Sequence, residues 1–341
     1  MSFGRAAKSS SVAAAATAVL LLGIIATAAC AKPAPKSIAE LQNAERNIDL
    51  AYEGEIEGGP GFEAELYSYA SAGLKVHAMV ARPNGEVPAG GFPVLIANHG
   101  HHPDPPNYGI TADGKDWRPG DYYRRIPELF TAAGFLVVMP DFRGHNNSEG
   151  FEFTEGMLES AYYTEDVLNL LAGLDDIADV NAEQIFMWGH SMGGEVTLRA
   201  LLATDRVKAA SMWSSVGGDI WDQSYYYSRY AEPTAPDSSE VDKHVISRLR
   251  GRIADLDDDF DTDSVEPYLH LDALLTPIII HHSVGDRGAA YKWSERLAKE
   301  LYVRGNTYEF WTYDGDKHLF ADDDFATAVA RDVAFFESQL D

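Results

Sequence analysis

The sequence predicts an α/β fold: a mostly parallel central sheet with helices on both faces and a lid-like insertion. Three observations predict it. From residue 92 onward, short apolar runs alternate with helix-like segments, the rhythm of parallel strands joined by crossover helices. Two of the runs, Phe92-Pro93-Val94-Leu95-Ile96-Ala97 and Phe135-Leu136-Val137-Val138-Met139, are apolar without alternation, as strands buried on both faces must be. Finally, Gly189-His190-Ser191-Met192-Gly193 sets a serine between two glycines, after the apolar run Ile185–Trp188 and before the helix-like Glu195–Leu202.

The elements follow in order. Residues 1–30 are a targeting segment outside the fold. Arg5 and Lys8 give a positive start, and Val12 through Ala29 is apolar and small, ending in Thr27-Ala28-Ala29-Cys30. This resembles a bacterial secretory signal. Cys30, the only cysteine in the chain, sits where a lipoprotein signal is cleaved and acylated, with Thr27 in place of the usual leucine-like residue. Cleavage within Ala29-Cys30-Ala31 without acylation, or retention of the run as a membrane helix, are the alternatives. The expected location is therefore periplasmic or on the cell surface, with attachment to the membrane through acylated Cys30, or else secreted. One cysteine allows no internal disulfide.

Residues 31–60 read as a tether and an amino-terminal extension. Ala31 to Ser37 is a Pro/Ala/Lys spacer, and residues 38–60 read as a short helix and a glycine-rich turn. The folded domain is expected over 61–341. Phe62–Ala70 and Leu74–Pro83 read as two antiparallel strands joined at Ser71-Ala72-Gly73. Then come strand 92–97, a helix near Tyr122–Ala133, strand 135–139, a helix near Leu158–Leu174, strand 185–188, the helix after Ser191 and strand 209–213. Strand 277–280, a helix near Tyr291–Val303, strand Tyr308–Tyr313 and a last helix near Ala326–Leu340 complete the chain. Residues 218–270 break the rhythm. They hold no clear buried strand but carry Trp221, Tyr225, Tyr226, Tyr227 and Tyr230. They read as a cap whose aromatics wall a site, or as a surface connection whose aromatics fill local core.

Charge narrows the partners. The chain of 341 residues carries 53 acidic and 27 basic side chains, a formal net charge of −26. Such a surface repels nucleic acid and anionic headgroups. The runs Asp257-Asp258-Asp259 and Asp322-Asp323-Asp324 read as solvated charge, since neither has the spacing of a calcium loop. No cofactor and no metal is expected. His99, His101, His102 and Asp104 lie close together, but not at a zinc spacing.

A serine hydroxyl needs a base in hydrogen-bond reach and an acid to orient that base. The G-x-S-x-G stretch resembles the nucleophile elbow of α/β hydrolases, whose order along the chain is serine, acid, histidine. Of the 11 histidines, three follow residue 270: His281, His282 and His318. The first two end the strand at 277–280. His318 lies in the loop after the penultimate strand, where that order requires the base. Asp286 follows strand 277–280 at its carboxyl end, where ligands gather in such sheets; Asp314 and Asp316 stand too near His318 in sequence to orient it easily. The predicted triad is Ser191, Asp286 and His318. The predicted oxyanion donors are the backbone N–H groups of Met192, directly after the nucleophile, and of His101, in the loop after strand 92–97.

From about residue 61 to the end the chain resembles prolyl-oligopeptidase-type and dienelactone-hydrolase-type α/β hydrolases. The resembling pieces are His99-Gly100, Pro140-Asp141-Phe142-Arg143-Gly144, Val180–Ile185 leading into Gly189–Gly194, Tyr268-Leu269-His270-Leu271-Asp272 and Gly315–His318. The resemblance implies an α/β-hydrolase fold, serine-hydrolase chemistry and the same triad, with Asp141 and Arg143 as structural turn residues. Departures are informative. Serine replaces the cysteine nucleophile of dienelactone hydrolases. Only residues 31–60 separate signal and domain, where prolyl oligopeptidases carry a peptide-filtering propeller. Ser283 stands where the family usually has glycine, and Ala289-Ala290 where it has valine-proline. The expected activity is hydrolysis of a small-molecule carboxylic ester through an acyl-enzyme. A serine exopeptidase or amidase acting on a short peptide is the first alternative, and a lipid-anchored binding protein without catalysis the second.

Overall fold

The strands are β1 (Ala51–Gly59), β2 (Phe62–Ser71), β3 (Leu74–Pro83), β4 (Phe92–Asn98), β5 (Leu136–Pro140), β6 (Val180–His190), β7 (Val207–Trp213), β8 (Ile278–Ser283) and β9 (Tyr308–Tyr313). The helices are α1 (Ile38–Asn43), α2 (Arg125–Ala132), α3 (Glu159–Ala172), α4 (Met192–Leu201), α5 (Ile220–Tyr230), α6 (Tyr291–Arg304) and α7 (Asp322–Glu337). This is a computed structural model; it describes residues 32–107, 123–156, 158–230 and 260–340. Residues 34–341 belong to one compact unit, and the remaining unit, residues 1–33, falls almost wholly outside the described residues, as does Cys30. Among the described residues no helix is long and apolar enough to cross a membrane.

The strands form one sheet in the order β1-β2-β3-β5-β4-β6-β7-β8-β9. β1, β2, β3 and β5 pair antiparallel, and β5-β4-β6-β7-β8-β9 run parallel. The parallel part is what the unbroken apolar runs demand. Along β4, Val94 and Ile96 join one buried cluster while Leu95 and Ala97 join the other. In β6, Ile185 and Met187 divide from Phe186 and Trp188 in the same way. Alternate side chains point to opposite faces, so a strand covered on both sides has no polar position to show. Val167 and Leu171 of α3, Val196 and Leu198 of α4 and Leu297 and Leu301 of α6 cover one face; Ile126 and Phe130 of α2 and Phe325 and Phe336 of α7 cover the other.

Two expectations over the termini are corrected. The short helix is present as α1, closed by a capping box in which the Glu40 N–H donates to Ser37 Oγ at 3.1 Å and the Ser37 N–H to Glu40 Oε2 at 2.8 Å. The glycine-rich turn expected before residue 60 is instead the edge strand β1. Its sequence, Ala51-Tyr52-Glu53-Gly54-Glu55-Ile56-Glu57-Gly58-Gly59, is exposed or half-buried throughout. No buried face imposes an apolar period, and the glutamates and glycines suit an edge that must not recruit another strand. The last helix begins at Asp322 rather than near Ala326, because the acidic run 322–324 forms its first turn, where negative charge complements the helix dipole.

Arg143 behaves as a structural residue. Its guanidinium is buried and bonds Asp166 through Nη2 at 2.7 Å and Nε at 3.0 Å, and Glu165 through Nη2 at 3.2 Å. The Arg143 N–H and Ser71 Oγ complete the shell of Asp166 at 2.9 and 2.5 Å. Arg143→Met leaves a buried carboxylate without its charge partner. The expected loss is about 3–5 kcal/mol of stability, read as a lower urea midpoint at unchanged m-value.

Candidate active site

The carboxyl ends of the parallel strands β4, β6, β8 and β9 point the same way, and His101, Ser191, Asp286 and His318 lie in the segments that follow them. Ser191 sits between β6 and α4 at φ 56°, ψ −122°. That left-handed conformation is strained for a serine, and close packing maintains it. The Ser191 N–H donates to the Trp213 carbonyl at 3.0 Å, and its own carbonyl accepts from Gly194 and Val216, each at 3.0 Å. Two glycines make the turn possible. A Cβ on Gly189 would lie 2.3 Å from the Gly193 carbonyl oxygen, and one on Gly193 would lie 2.1 Å from the Asn98 carbonyl oxygen. The spacing G-x-S-x-G is thus a packing requirement here: β6, α4 and the loop after β4 touch through those two positions.

Asp286 follows β8 with its side chain fully buried. Its Oδ1 accepts the N–H groups of Gly288 and Ala289 at 2.7 and 3.3 Å. Its Oδ2 lies 2.8 Å from His318 Nδ1 and 3.3 Å from His282 Nε2. Burial alone would raise this carboxyl, but the hydrogen bonds from His282 and His318 outweigh it and hold Asp286 well below the usual carboxylate range. An ionised Asp286 keeps the proton of His318 on Nδ1 and leaves Nε2 as an acceptor. Asp314 and Asp316 are exposed, and Asp286 takes the His318 Nδ1 contact. His282, read from sequence only as a strand-end histidine, is a further partner of the acid.

Ser191, Met192, His101 and His318 line one cavity of about 610 Å³. Met192 is the first residue of α4, where backbone N–H groups lack helical partners. The Gly100–His101 loop presses on Ser191: a Cβ on Gly100 would lie 3.1 Å from that of Ser191. The Gly100 N–H donates to the Tyr123 hydroxyl at 2.8 Å. The neighbouring histidines face backbone, with His99 Nδ1 2.8 Å from the Gly100 carbonyl and His102 Nδ1 2.8 Å from that of Asp104.

The insertion at 218–270 combines both sequence readings where it is described; residues 231–259 lie outside the described residues. Its first part is α5. Tyr227 walls the cavity and donates to the Gly288 carbonyl at 3.2 Å. Tyr226 instead packs on the buried Trp293, ring centroids 4.9 Å apart, and donates to the Arg287 carbonyl at 3.0 Å. Sequence reasoning also missed Tyr123, His190, Glu159 and Glu195. Tyr123 and His190 carry no motif signal of their own. Glu195, on α4, lines the cavity together with Glu159 and is nearly buried, held by Arg199 Nη2 at 3.0 Å and Gln223 Nε2 at 3.1 Å. Its place one turn after the nucleophile was the available signal.

A 31.7 kDa Escherichia coli protein of the traX-finO intergenic region, described as uncharacterized, is 32% identical over 92 residues, which is 27% of this chain and 31% of that protein. The chain therefore spans about a third of that curated relative. The Bacillus subtilis (strain 168) protein described as uncharacterized peptidase YtmA is 25% identical over 263 residues, covering 76% of this chain and 89% of that one. Among solved structures, acetyl xylan esterase from Paenibacillus sp. R4 superposes with a TM-score of 0.59 at 16% identity, covering 87% of this chain and 92% of that one, a likeness of fold. The profile of the prolyl oligopeptidase family matches residues 122–341, the stretch that holds the nucleophile elbow, Asp286 and His318. With the profile match over more than half its length, this chain belongs to the prolyl oligopeptidase family.

Proposed function

We propose that the protein hydrolyses a carboxylic ester through Ser191, His318 and Asp286. The observation that carries the reading is the 2.8 Å contact of His318 Nδ1 with the buried Asp286, in a cavity that Ser191 lines from a strained elbow. Ser191 Oγ attacks the ester carbonyl while His318 Nε2 takes its proton. The oxyanion is held by the N–H groups of Met192 and His101. His318 returns the proton to the leaving alcohol, and water, activated by the same imidazole, releases the acid from the acyl-enzyme. The match in length to an acetyl xylan esterase supports an ester substrate. We further read residues 1–30 as an export signal, with Cys30 acylated and residues 31–60 as the tether. The support is the charge and apolar pattern of that segment, and the mass of the native amino terminus tests it.

A second reading, cleavage of a short peptide from its amino end, is favoured by two observations. Glu159 and Glu195 face the cavity, and among the described residues its lining holds no lysine or arginine, so a cationic amino terminus meets carboxylates there. A relative of similar length is described as a peptidase. The deciding experiment compares kcat/KM on a short-chain aryl ester and on an aminoacyl-proline anilide, with Ser191→Ala as blank. A Ser191-dependent preference for the ester of at least 100-fold is expected. Anilide cleavage of comparable efficiency establishes the peptidase instead.

A further inference from the structure

We infer that His190 and Ser283 are positioning residues for the general base, tying the His318 loop to the ends of β6 and β8. The inference rests on the proposed role of His318. That imidazole hangs from a loop between β9 and α7 that has no helix or strand of its own, and residues 314–317 are exposed. The ring keeps its place in the cavity that Ser191 also lines only if this backbone is fixed. Two side chains fix it at consecutive carbonyls. Ser283 Oγ donates to the Lys317 carbonyl at 2.8 Å. His190 Nε2 lies 3.0 Å from the His318 carbonyl, and the two imidazole rings pack with centroids 4.5 Å apart. Both anchors are buried, and both end parallel strands of the core.

The polarity of the His190 arm follows from its partners. A carbonyl only accepts, so the proton of His190 is on Nε2 and its Nδ1 is an acceptor. The Tyr123 hydroxyl, 2.5 Å from that Nδ1, must then donate, and its oxygen accepts the Gly100 N–H at 2.8 Å. Burial, reinforced by the nearby His318, pushes the His190 pKa well below the ordinary histidine value, which keeps the ring in this neutral form. One residue before the nucleophile, His190 therefore links the loop of the base to the loop proposed to supply an oxyanion donor. Placement matters steeply in catalysis, where a shift of about 1 Å costs on the order of 100-fold.

The test measures kcat, KM and Tm of the mature protein on the aryl ester for His190→Leu, His190→Gln and Ser283→Ala, with Ser191→Ala and His318→Ala as references. A glutamine Nε2 can donate where the histidine Nε2 does; leucine cannot. His190→Leu is expected to lose about 10–100-fold in kcat with KM within about twofold. His190→Gln should recover to within about fivefold of wild type, and Ser283→Ala should lose about 3–10-fold in kcat. Unchanged kcat in His190→Leu, or equal losses in the leucine and glutamine variants, overturns the role of His190 while Ser191→Ala and His318→Ala remain inactive. Should His190→Leu fail to fold, Ser283→Ala carries the test, and an unchanged kcat there overturns the inference. Full turnover by His318→Ala removes the triad reading itself, and the inference with it.

Discussion

Ser191→Ala is expected to lower kcat on the preferred ester by roughly 10⁴–10⁶-fold with little change in KM. The oxygen is the only atom removed. The backbone bonds that hold the elbow belong to main-chain groups, from Ser191 N–H to Trp213 and from Gly194 and Val216 to the Ser191 carbonyl, and alanine keeps them all. The left-handed φ of 56° is as costly for alanine as for serine, so Tm should stay within a few degrees. The cavity and the proposed oxyanion donors remain, which is why binding should persist while turnover stops. The measurement is steady-state kinetics with a paired thermal melt. A drop in both kcat and Tm would point to a folding defect, and unchanged kcat would remove Ser191 as nucleophile.

The second large effect concerns the acid. Asp286→Asn is expected to lower kcat by about 10³–10⁴-fold. An asparagine still offers one oxygen to the Gly288 and Ala289 N–H groups, but the amide it turns toward His318 donates instead of accepting. His318 must then present Nδ1 as acceptor and carry its proton on Nε2, facing the serine with the wrong tautomer. The wild-type pH profile follows from the same contacts. Asp286 is held well below the usual carboxylate range, so it stays ionised through the mildly acid range and the base alone takes up a proton there. Activity should therefore fall on the acid side with unit slope, one proton per site, and a slope of two would contradict the assignment. The sign for stability is also fixed. A carboxyl depressed in the folded state contributes stability that is present above its unfolded pKa and lost as pH falls toward its folded pKa. Asp286→Asn should therefore flatten the acid side of the stability curve as well as lower kcat.

How much of this was legible in the sequence depended on whether burial left a pattern. β4, β5, β6 and β8 were legible because two-sided burial leaves no polar position in their apolar runs. β1 was not, since an exposed edge of Glu and Gly has no period to read. The start of α7 was hidden because an acidic run reads equally as solvated charge and as a helix's first turn. In the candidate site, chain order and spacing pointed to Ser191, Asp286 and His318, and neighbouring residues to Met192 and His101, and the structure sets Ser191, Met192, His101 and His318 around one cavity. The contacts of His190, Tyr123 and Ser283 were not legible, because they join residues up to 128 positions apart, as in the His190–His318 bond. No local spacing encodes such a contact. The two aromatic roles in the insertion show the same limit: Tyr226 and Tyr227 are adjacent, identical residues, and only α5 decides which one faces Trp293 and which one the cavity.

Covalent capture asks whether Ser191, activated by His318, is the nucleophile. The mature protein is treated with a fluorophosphonate at neutral pH, and the intact mass and peptide map are recorded for wild type and His318→Ala. The account predicts a single adduct per chain, located on Ser191, with labelling slowed at least 100-fold in His318→Ala. An adduct at another residue, or equal labelling in the absence of His318, would contradict it.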